Sequence, residues 1–233
     1  MTQLERIRRN ERISHIETYS NHALYEPGSW LAKPAKTVMD LLPFFDLFSS
    51  IRILDLGCGV GRNSIALAQA FQDIDCCIDC VDILDFAIEK LKENSEKFGV
   101  SPMINGITES IDRYPIPVEG YDWILAVSAL EHMDSKESLI QKLKEIRSGI
   151  REGGVVCLIL NSDVKELCHD TKQVLRPQFE VNLPTSELQE ILYDIFSGWT
   201  TLKNSFQMQK YDIPRNGCIS ELSSNVITFA AQK

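Results

Sequence analysis

The chain has 233 residues, of which 44% are hydrophobic and 24% charged, and its formal net charge is −9. That length builds one large domain with a substantial core, the composition is globular, and the acidic balance disfavours a surface that tracks a phosphate backbone, so no nucleic acid partner is expected. Met1–Ser20 lacks the apolar core of a secretory signal and no apolar run approaches the roughly 18 to 20 residues of a membrane span, so the expected setting is the cytoplasm, with no membrane partner.

Thr2 to Tyr19 reads as a loosely amphipathic helix lying on the core through Leu4, Ile7, Ile13 and Ile16. Asn21 to Pro34 places Tyr25 and Trp30 among the turn residues Pro27, Gly28 and Ser29. Its aromatics are either packing anchors or a cap that excludes water from a site and offers a cation an aromatic face. Pro34 suits the first turn of a helix that runs through Val38 and Met39 to Pro43. Residues 1–45 therefore read as N-terminal helices and an aromatic cap packing on a main domain of residues 46–233.

Ile51 to Leu56 is an apolar, β-branched run of the kind found in a central parallel strand, and Gly57, Gly59 and Gly61 turn the chain sharply into a helix that begins near Arg62 or Asn63. Asp75 to Val81 is the second strand, ending at Asp82, about 20 residues beyond the glycines, where an acid accepts hydrogen bonds from ribose hydroxyls in dinucleotide-type folds. A helix over Phe86–Phe98 stops at Gly99, and Met103–Asn105 is a short third strand. Tyr121–Val127 is the fourth, with Ser128 to Met133 at its C-terminal end; a helix over Ser138–Ile150, a Gly153-Gly154 turn and a strand over Val155–Leu160 follow. This β-α alternation predicts a doubly wound, mostly parallel sheet with its ligands at the carboxyl ends of the strands.

Asn161 to Pro184 has few periodic apolar residues and reads as a loop or lid. Ser186–Phe196 is helical, and strands over Thr200–Tyr211 and Asn225–Ala231, joined by a turn-rich Asp212–Ser224, close the chain as a hairpin with one antiparallel strand in a seven-stranded sheet.

The glycine spacing separates the candidate nucleotides. A nicotinamide or flavin fingerprint from Gly57 requires glycine at position 62, which is Arg62, and no phosphate-cradling G-x-x-x-x-G-K-[ST] exists in the chain. The string Asp55-Leu-Gly-Cys-Gly-Val-Gly-Arg-Asn63 resembles the first motif of the class I S-adenosylmethionine-dependent methyltransferases, a likeness that extends over residues 51–160. The resemblance implies a Rossmann-like methyltransferase fold and S-adenosyl-L-methionine as cofactor. It implies that the backbone of Gly57 and Gly59 lines the methionine moiety, with Cys58 and Gly61 also in the cofactor site and Asp55 positioning the amino end through the loop. Asp82 would take the ribose hydroxyls, Ile83 would flank the adenine, and Thr108 or its neighbours Ile107 and Glu109 would lie near its edge. Asp122 with Ser128 to His132 resembles the fourth-strand motif that abuts the methyl group and the acceptor. Gly61-Arg-Asn-Ser64, Glu187-Leu188, the Tyr193–Trp199 stretch and Phe229-Ala-Ala-Gln-Lys233 are similar to the tellurite-resistance subgroup, which implies a small acceptor such as a tellurite or selenite oxyanion or a thiol.

A positioned acceptor in a water-poor site supplies most of the acceleration, and a base is needed only if the acceptor must lose a proton. His132 is the nearest candidate base, against a purely structural histidine, and Tyr25, Trp30 and Arg62 complete a candidate acceptor pocket. The seven cysteines, at 58, 76, 77, 80, 157, 168 and 218, read as reduced, buried thiols. Cys77-x-x-Cys80 has no second ligand pair nearby, and strand geometry sends Cys77 and Cys80 to opposite faces, so no metal is expected. The competing reading is a non-catalytic protein that binds S-adenosylmethionine as a sensor or subunit. Oligomeric state is not legible from the sequence.

Overall fold

The structure, a computed structural model, describes residues 3–215 and 218–233, and of residues 3–6, 11, 214, 215 and 218 the backbone alone. Thr2, the side chain of Leu4 and the thiol of Cys218 lie outside that description.

Helix α1 (Gln3–Asn21) leads through a short 3-10 turn at Trp30–Ala32, capped by the Ser29 hydroxyl, to α2 (Lys36–Asp40) and a second 3-10 turn, Leu42–Phe45, which accommodates Pro43 in its first turn. The core then alternates: β1 (Ser50–Leu56), α3 (Ser64–Ala70), β2 (Asp75–Asp82), α4 (Asp85–Lys97), β3 (Ile104–Thr108), β4 (Tyr121–Val127), α5 (Lys136–Gly149) and β5 (Ile150–Cys168). The remaining elements are β6 (Val174–Leu175), α6 (Thr185–Ile195), β7 (Thr200–Arg215) and β8 (Cys218–Gln232). Strand order is β3-β2-β1-β4-β5-β8-β7, with β6 paired to β5 off this path. The first five strands are parallel, β8 runs antiparallel between β5 and β7, and the two-residue β6 pairs antiparallel with β5. The sheet is the mixed Rossmann-like one that the element order implies, with eight strands where seven were expected.

The period-two alternation of strand side chains divides the core into two layers. Ile51, Ile53, Cys76, Ile78, Cys80, Trp123, Leu125 and Cys157 face α3, α4 and the N-terminal segment, where Leu24, Leu31, Val38, Leu41 and Phe45 join the same cluster. Leu54, Leu56, Val81, Ile124, Ala126, Leu158 and Leu160 face α5 and α6. Cys76 and Cys80 therefore share the first layer, while Cys77 is only half-buried, and all six described cysteines are free thiols. Trp123, wholly buried, stacks on Phe45 with ring centroids 4.7 Å apart, tying the N-terminal segment to the centre of the sheet.

Three expectations change. Gly153 and Gly154 do not end a turn; they form a bulge within β5, where Tyr121 pairs with Ile150 but Trp123 with Val155. Gly154 is required there, because a Cβ would lie 2.6 Å from the Asp122 carbonyl oxygen. The expected loop from Asn161 is strand as far as Cys168, paired along β8, with Ser162, Val164 and Glu166 facing inward. The turn-rich stretch Asp212–Ser224 is mostly strand as well, so the β7/β8 hairpin is longer than the apolar pattern indicated.

Gly61 has φ +91°, and a Cβ on it would stand 2.5 Å from Leu91 Cδ1 and 2.9 Å from Ile65 Cγ1. A left-handed backbone and overpacking act together at this position. Gly61→Ala is expected to lower unfolding free energy by about 3 kcal/mol, read as a fall in the urea midpoint at unchanged slope.

Candidate functional site

The carboxyl ends of β1, β2 and β4 are drawn together by backbone contacts. The Gly57 and Cys58 N–H groups donate to the Val81 carbonyl (2.8 and 3.1 Å), and the Gly59 N–H donates to Asp82 Oδ2 (2.9 Å). Asp82 Oδ1 accepts from the Leu84 N–H at 2.9 Å, so the carboxylate bridges the glycine turn and the start of the next helix. Burial raises the pKa of this carboxyl, and the two N–H donors oppose that shift. A carboxylate has about four acceptor sites, so capacity remains for further donors. Ile83, beside it, is 53% exposed, and Thr108 of β3 pairs with Asp82 in the strand register and is also exposed.

Ser128 takes a left-handed backbone (φ +52°) and donates its N–H to the Ile159 carbonyl at 2.8 Å. The turn brings Ala129 onto Gly57, where a Cβ on the glycine would lie 2.3 Å from that of Ala129. Position 57 therefore has room for hydrogen only. Cys58 is buried, with burial raising its thiol pKa. Asp55 is buried beneath the turn, where it accepts from the Ser64 hydroxyl at 2.5 Å, and it holds the loop from below instead of lining its outer surface. Desolvation pushes its pKa up to about 6.

Helix α1 crosses this corner. Arg8, Arg12, His15 and Tyr19, at 4-3-4 spacing, form one face. Arg8 pairs with Asp134 and, at 3.5 Å, with Glu180; Arg12 pairs with Asp85 at 2.9 Å. The Tyr19 hydroxyl sits 2.8 Å from where a Gly59 Cβ would be. Tyr19 packs edge-on to Trp30, with His15 beside both rings. Arg62 lies 5.1 Å over the Trp30 ring and donates to its carbonyl at 3.1 Å, so its guanidinium is engaged by the N-terminal segment. Tyr25 is an anchor: its hydroxyl donates to the Arg62 carbonyl at 2.9 Å, and its ring packs on Phe98.

Beyond β4, His132 Nδ1 lies 2.9 Å from Glu180 Oε2, and the Phe179 ring stacks on the imidazole. Glu131 is buried; its Oε1 accepts from the Asn161 backbone N–H (3.2 Å) and side-chain amide (2.5 Å), and its Oε2 has no hydrogen-bond partner. Burial raises its pKa. Among the described residues, no group of three or more His, Cys, Asp or Glu side chains is placed to hold a metal ion.

Asp55, the glycine turn, Asp82, Ile83, Thr108 and Ser128 thus lie together at one edge of the sheet. Tyr19, His15, Arg8 and Glu180 join them without having stood out in the sequence. The polar 4-3-4 stripe of α1 was the available signal for three of these; Glu180 had none.

Residues 53–154 match the family profile of a methyltransferase domain. Among curated proteins, a tRNA N(3)-cytidine methyltransferase of Mus musculus is 28% identical over 47% of the chain and 28% of its own length. A malonyl-[acyl-carrier protein] O-methyltransferase of Ilyobacter polytropus is 26% identical over 60% of the chain and 48% of its own. The chain spans less than half the length of either relative. Among solved structures, TehB from Haemophilus influenzae superposes with a TM-score of 0.60 at 21% identity, covering 84% of this chain and 62% of that one, a likeness of fold.

Asp55 supplies a stability test. Its folded-state pKa, about 6, lies above the ordinary aspartate value, so its favourable contribution is complete below about pH 4 and is lost as pH rises to about 6. Asp55→Asn cannot ionise. Its unfolding free energy minus that of the wild type, from urea titrations, is expected to grow by up to about 3 kcal/mol between pH 4 and 6 and then level off. A difference flat across that range contradicts the assignment.

Proposed function

We propose that the chain is an S-adenosylmethionine-dependent methyltransferase acting on a small-molecule acceptor. The observation that carries this reading is the Asp82 carboxylate, held by the Gly59 and Leu84 N–H groups at the mouth of a glycine turn that has no room for side chains. An acid so placed offers acceptors to the paired hydroxyls of a ribose, and the half-exposed Ile83 offers an apolar face to a purine. Gly57, Cys58, Gly59 and Gly61 provide the backbone lining for the amino-acid arm, Asp55 supports that loop from below, and Thr108 and Ser128 flank the pocket. The match of residues 53–154 to a methyltransferase domain supports the same assignment. When bound, the cofactor supplies a methyl group on a sulfonium whose sulfur leaves as a neutral thioether.

The protein's own part is to bind, orient and exclude water. Residues 1–45 serve as the cap and residues 46–233 as the catalytic domain. Within the cap, Tyr19 and Trp30 close the glycine turn, with Arg62 stacked on Trp30, while Tyr25 fastens the segment. His132 is the group assigned to proton removal when the acceptor carries a proton. The acceptor class follows the tellurite-type resemblance, a metalloid oxyanion or a thiol. The net charge of −9 and the buried acids Asp82 and Glu131 weigh against a polynucleotide, although relatives include a tRNA methyltransferase. The proposed setting is the cytoplasm; among the described residues no helix is long and apolar enough to cross a membrane.

Titration calorimetry tests the cofactor assignment directly. S-adenosylmethionine and its demethylated product are expected to bind, and Asp82→Ala is expected to weaken both by tenfold to a hundredfold, as loss of charge-assisted hydrogen bonds costs about 1.5–3 kcal/mol. Absence of binding, or equal affinity in the variant, sinks the assignment. A product-release assay with tellurite, selenite, dithiothreitol and unmodified tRNA then sorts the acceptors; turnover of tRNA alone would transfer the reading to the nucleic-acid class.

A further inference from the structure

The chain segment after β5 delivers one carboxylate to the candidate base. Glu180, whose side chain is 1% exposed, places Oε2 at 2.9 Å from His132 Nδ1 and Oε1 at 3.5 Å from Arg8 Nε. Three stretches distant in sequence, α1, the turn after β4 and residues 176–184, meet at this group. Its position is built. Phe179 stacks on the imidazole at 5.4 Å and an interplanar angle of 21°, and the Val181 N–H donates to the Glu131 carbonyl at 3.0 Å. Two residues on, the Asn182 side chain accepts from the Val164 N–H and donates to its carbonyl, each at 2.9 Å, so the segment is fastened to β5.

We propose that Glu180 is a positioning residue for His132 and that the pair equips the enzyme for a protic small acceptor of the thiol class. This rests on the methyltransferase reading above. An ionised carboxylate only accepts hydrogen bonds, so a neutral imidazole facing Glu180 carries its proton on Nδ1, which makes Nε2 the basic nitrogen. The acceptor's proton passes to Nε2, and the electron pair it leaves on sulfur is the pair that bonds to the incoming methyl carbon. Glu180 stabilises the imidazolium formed. The proton match selects the acceptor: a thiol, with an ordinary pKa near 8.5, lies within about two units of imidazole, whereas an alcohol lies far outside the range. A metalloid oxyanion already presents a lone pair and needs no base.

Among the described residues, the groups around His132 include Glu131 on its own turn, Glu180 and Phe179 from the segment after β5, Arg8 from α1, and Asp134 and Asp112 beyond Arg8. The carboxylates favour imidazolium and disfavour an anionic acceptor, while Arg8 offsets part of the Glu180 charge.

Nitrogen-15 and carbon-13 spectra of the histidine rings in the full chain test the positioning without turnover, with the His132 signal assigned by its loss in His132→Asn. The expected result is the Nδ1–H tautomer at pH 8 and a His132 pKa at least about one unit higher in the wild type than in Glu180→Gln. The Nε2–H tautomer, or superimposable titrations, overturns the proposal. With dithiothreitol as acceptor, His132→Asn is expected to lower kcat by about a hundredfold or more, with S-adenosylmethionine affinity within about twofold of the wild type. Glu180→Gln should move the acid limb of the kcat/KM profile to lower pH, which a merely structural defect does not do. Transfer to tellurite that exceeds transfer to the thiol and survives His132→Asn also overturns it. Loss of cofactor binding by the wild type would instead strike the methyltransferase reading and leave the ring spectra to decide the pairing.

Discussion

Two backbone N–H groups, those of Gly59 and Leu84, converge on the carboxylate of Asp82, and this junction governs the functional edge of the sheet. It fixes the turn after β1 to the turn after β2. Because Gly57 and Cys58 donate to the Val81 carbonyl as well, the loop cannot shift without breaking several hydrogen bonds together. Ala129, filling the space a side chain at position 57 would need, adds the end of β4 to the same unit. A site assembled on strand ends in this way is rigid because the central strand behind it, β4, is buried along all seven of its residues.

The site is also acidic in a particular sense. Asp55, Asp82 and Glu131 are all buried, and in each desolvation is the largest influence and raises the pKa. Carboxylates held this way are under-compensated, and a cation brought among them is stabilised by more than the same charges would give in water. A sulfonium is such a cation. The fold thus carries the cost of burying these acids before any ligand arrives, and on the proposed reading a positively charged cofactor would offset part of it.

Much of this was legible in the residue pattern because the signal and the physics coincide. The strands β1, β2 and β4 are mostly apolar and buried on both faces towards their carboxyl ends, and the glycines at 57, 59 and 61 all adopt positive φ. Where polar residues point inward, the pattern fails. The distal half of β5 buries Ser162 and Glu166, and its bulge at Gly153-Gly154 imitates a turn. Helix α1 was legible in part: Ile7 packs inward as its apolar pattern indicated, whereas Ile13 is 47% exposed, and the face that meets the corner carries Arg8, Arg12, His15 and Tyr19. Glu180 was illegible in principle, since its partner is His132, 48 positions earlier, and nothing periodic surrounds it.

The polar face of α1 has a consequence for how the molecule responds to its solvent. A lid held by hydrophobic contact tightens as salt is added, whereas ion pairs such as Arg12–Asp85 and Arg8–Asp134, with partners half or more exposed, are screened over a Debye length of about 8 Å at physiological ionic strength. Among the described side chains of α1, Ile7 and Tyr19 are the buried ones. The sheet behind it, held by two apolar layers, is not weakened by the same change. Ionic strength therefore loosens the exposed ion pairs of α1 under conditions that leave the apolar core intact.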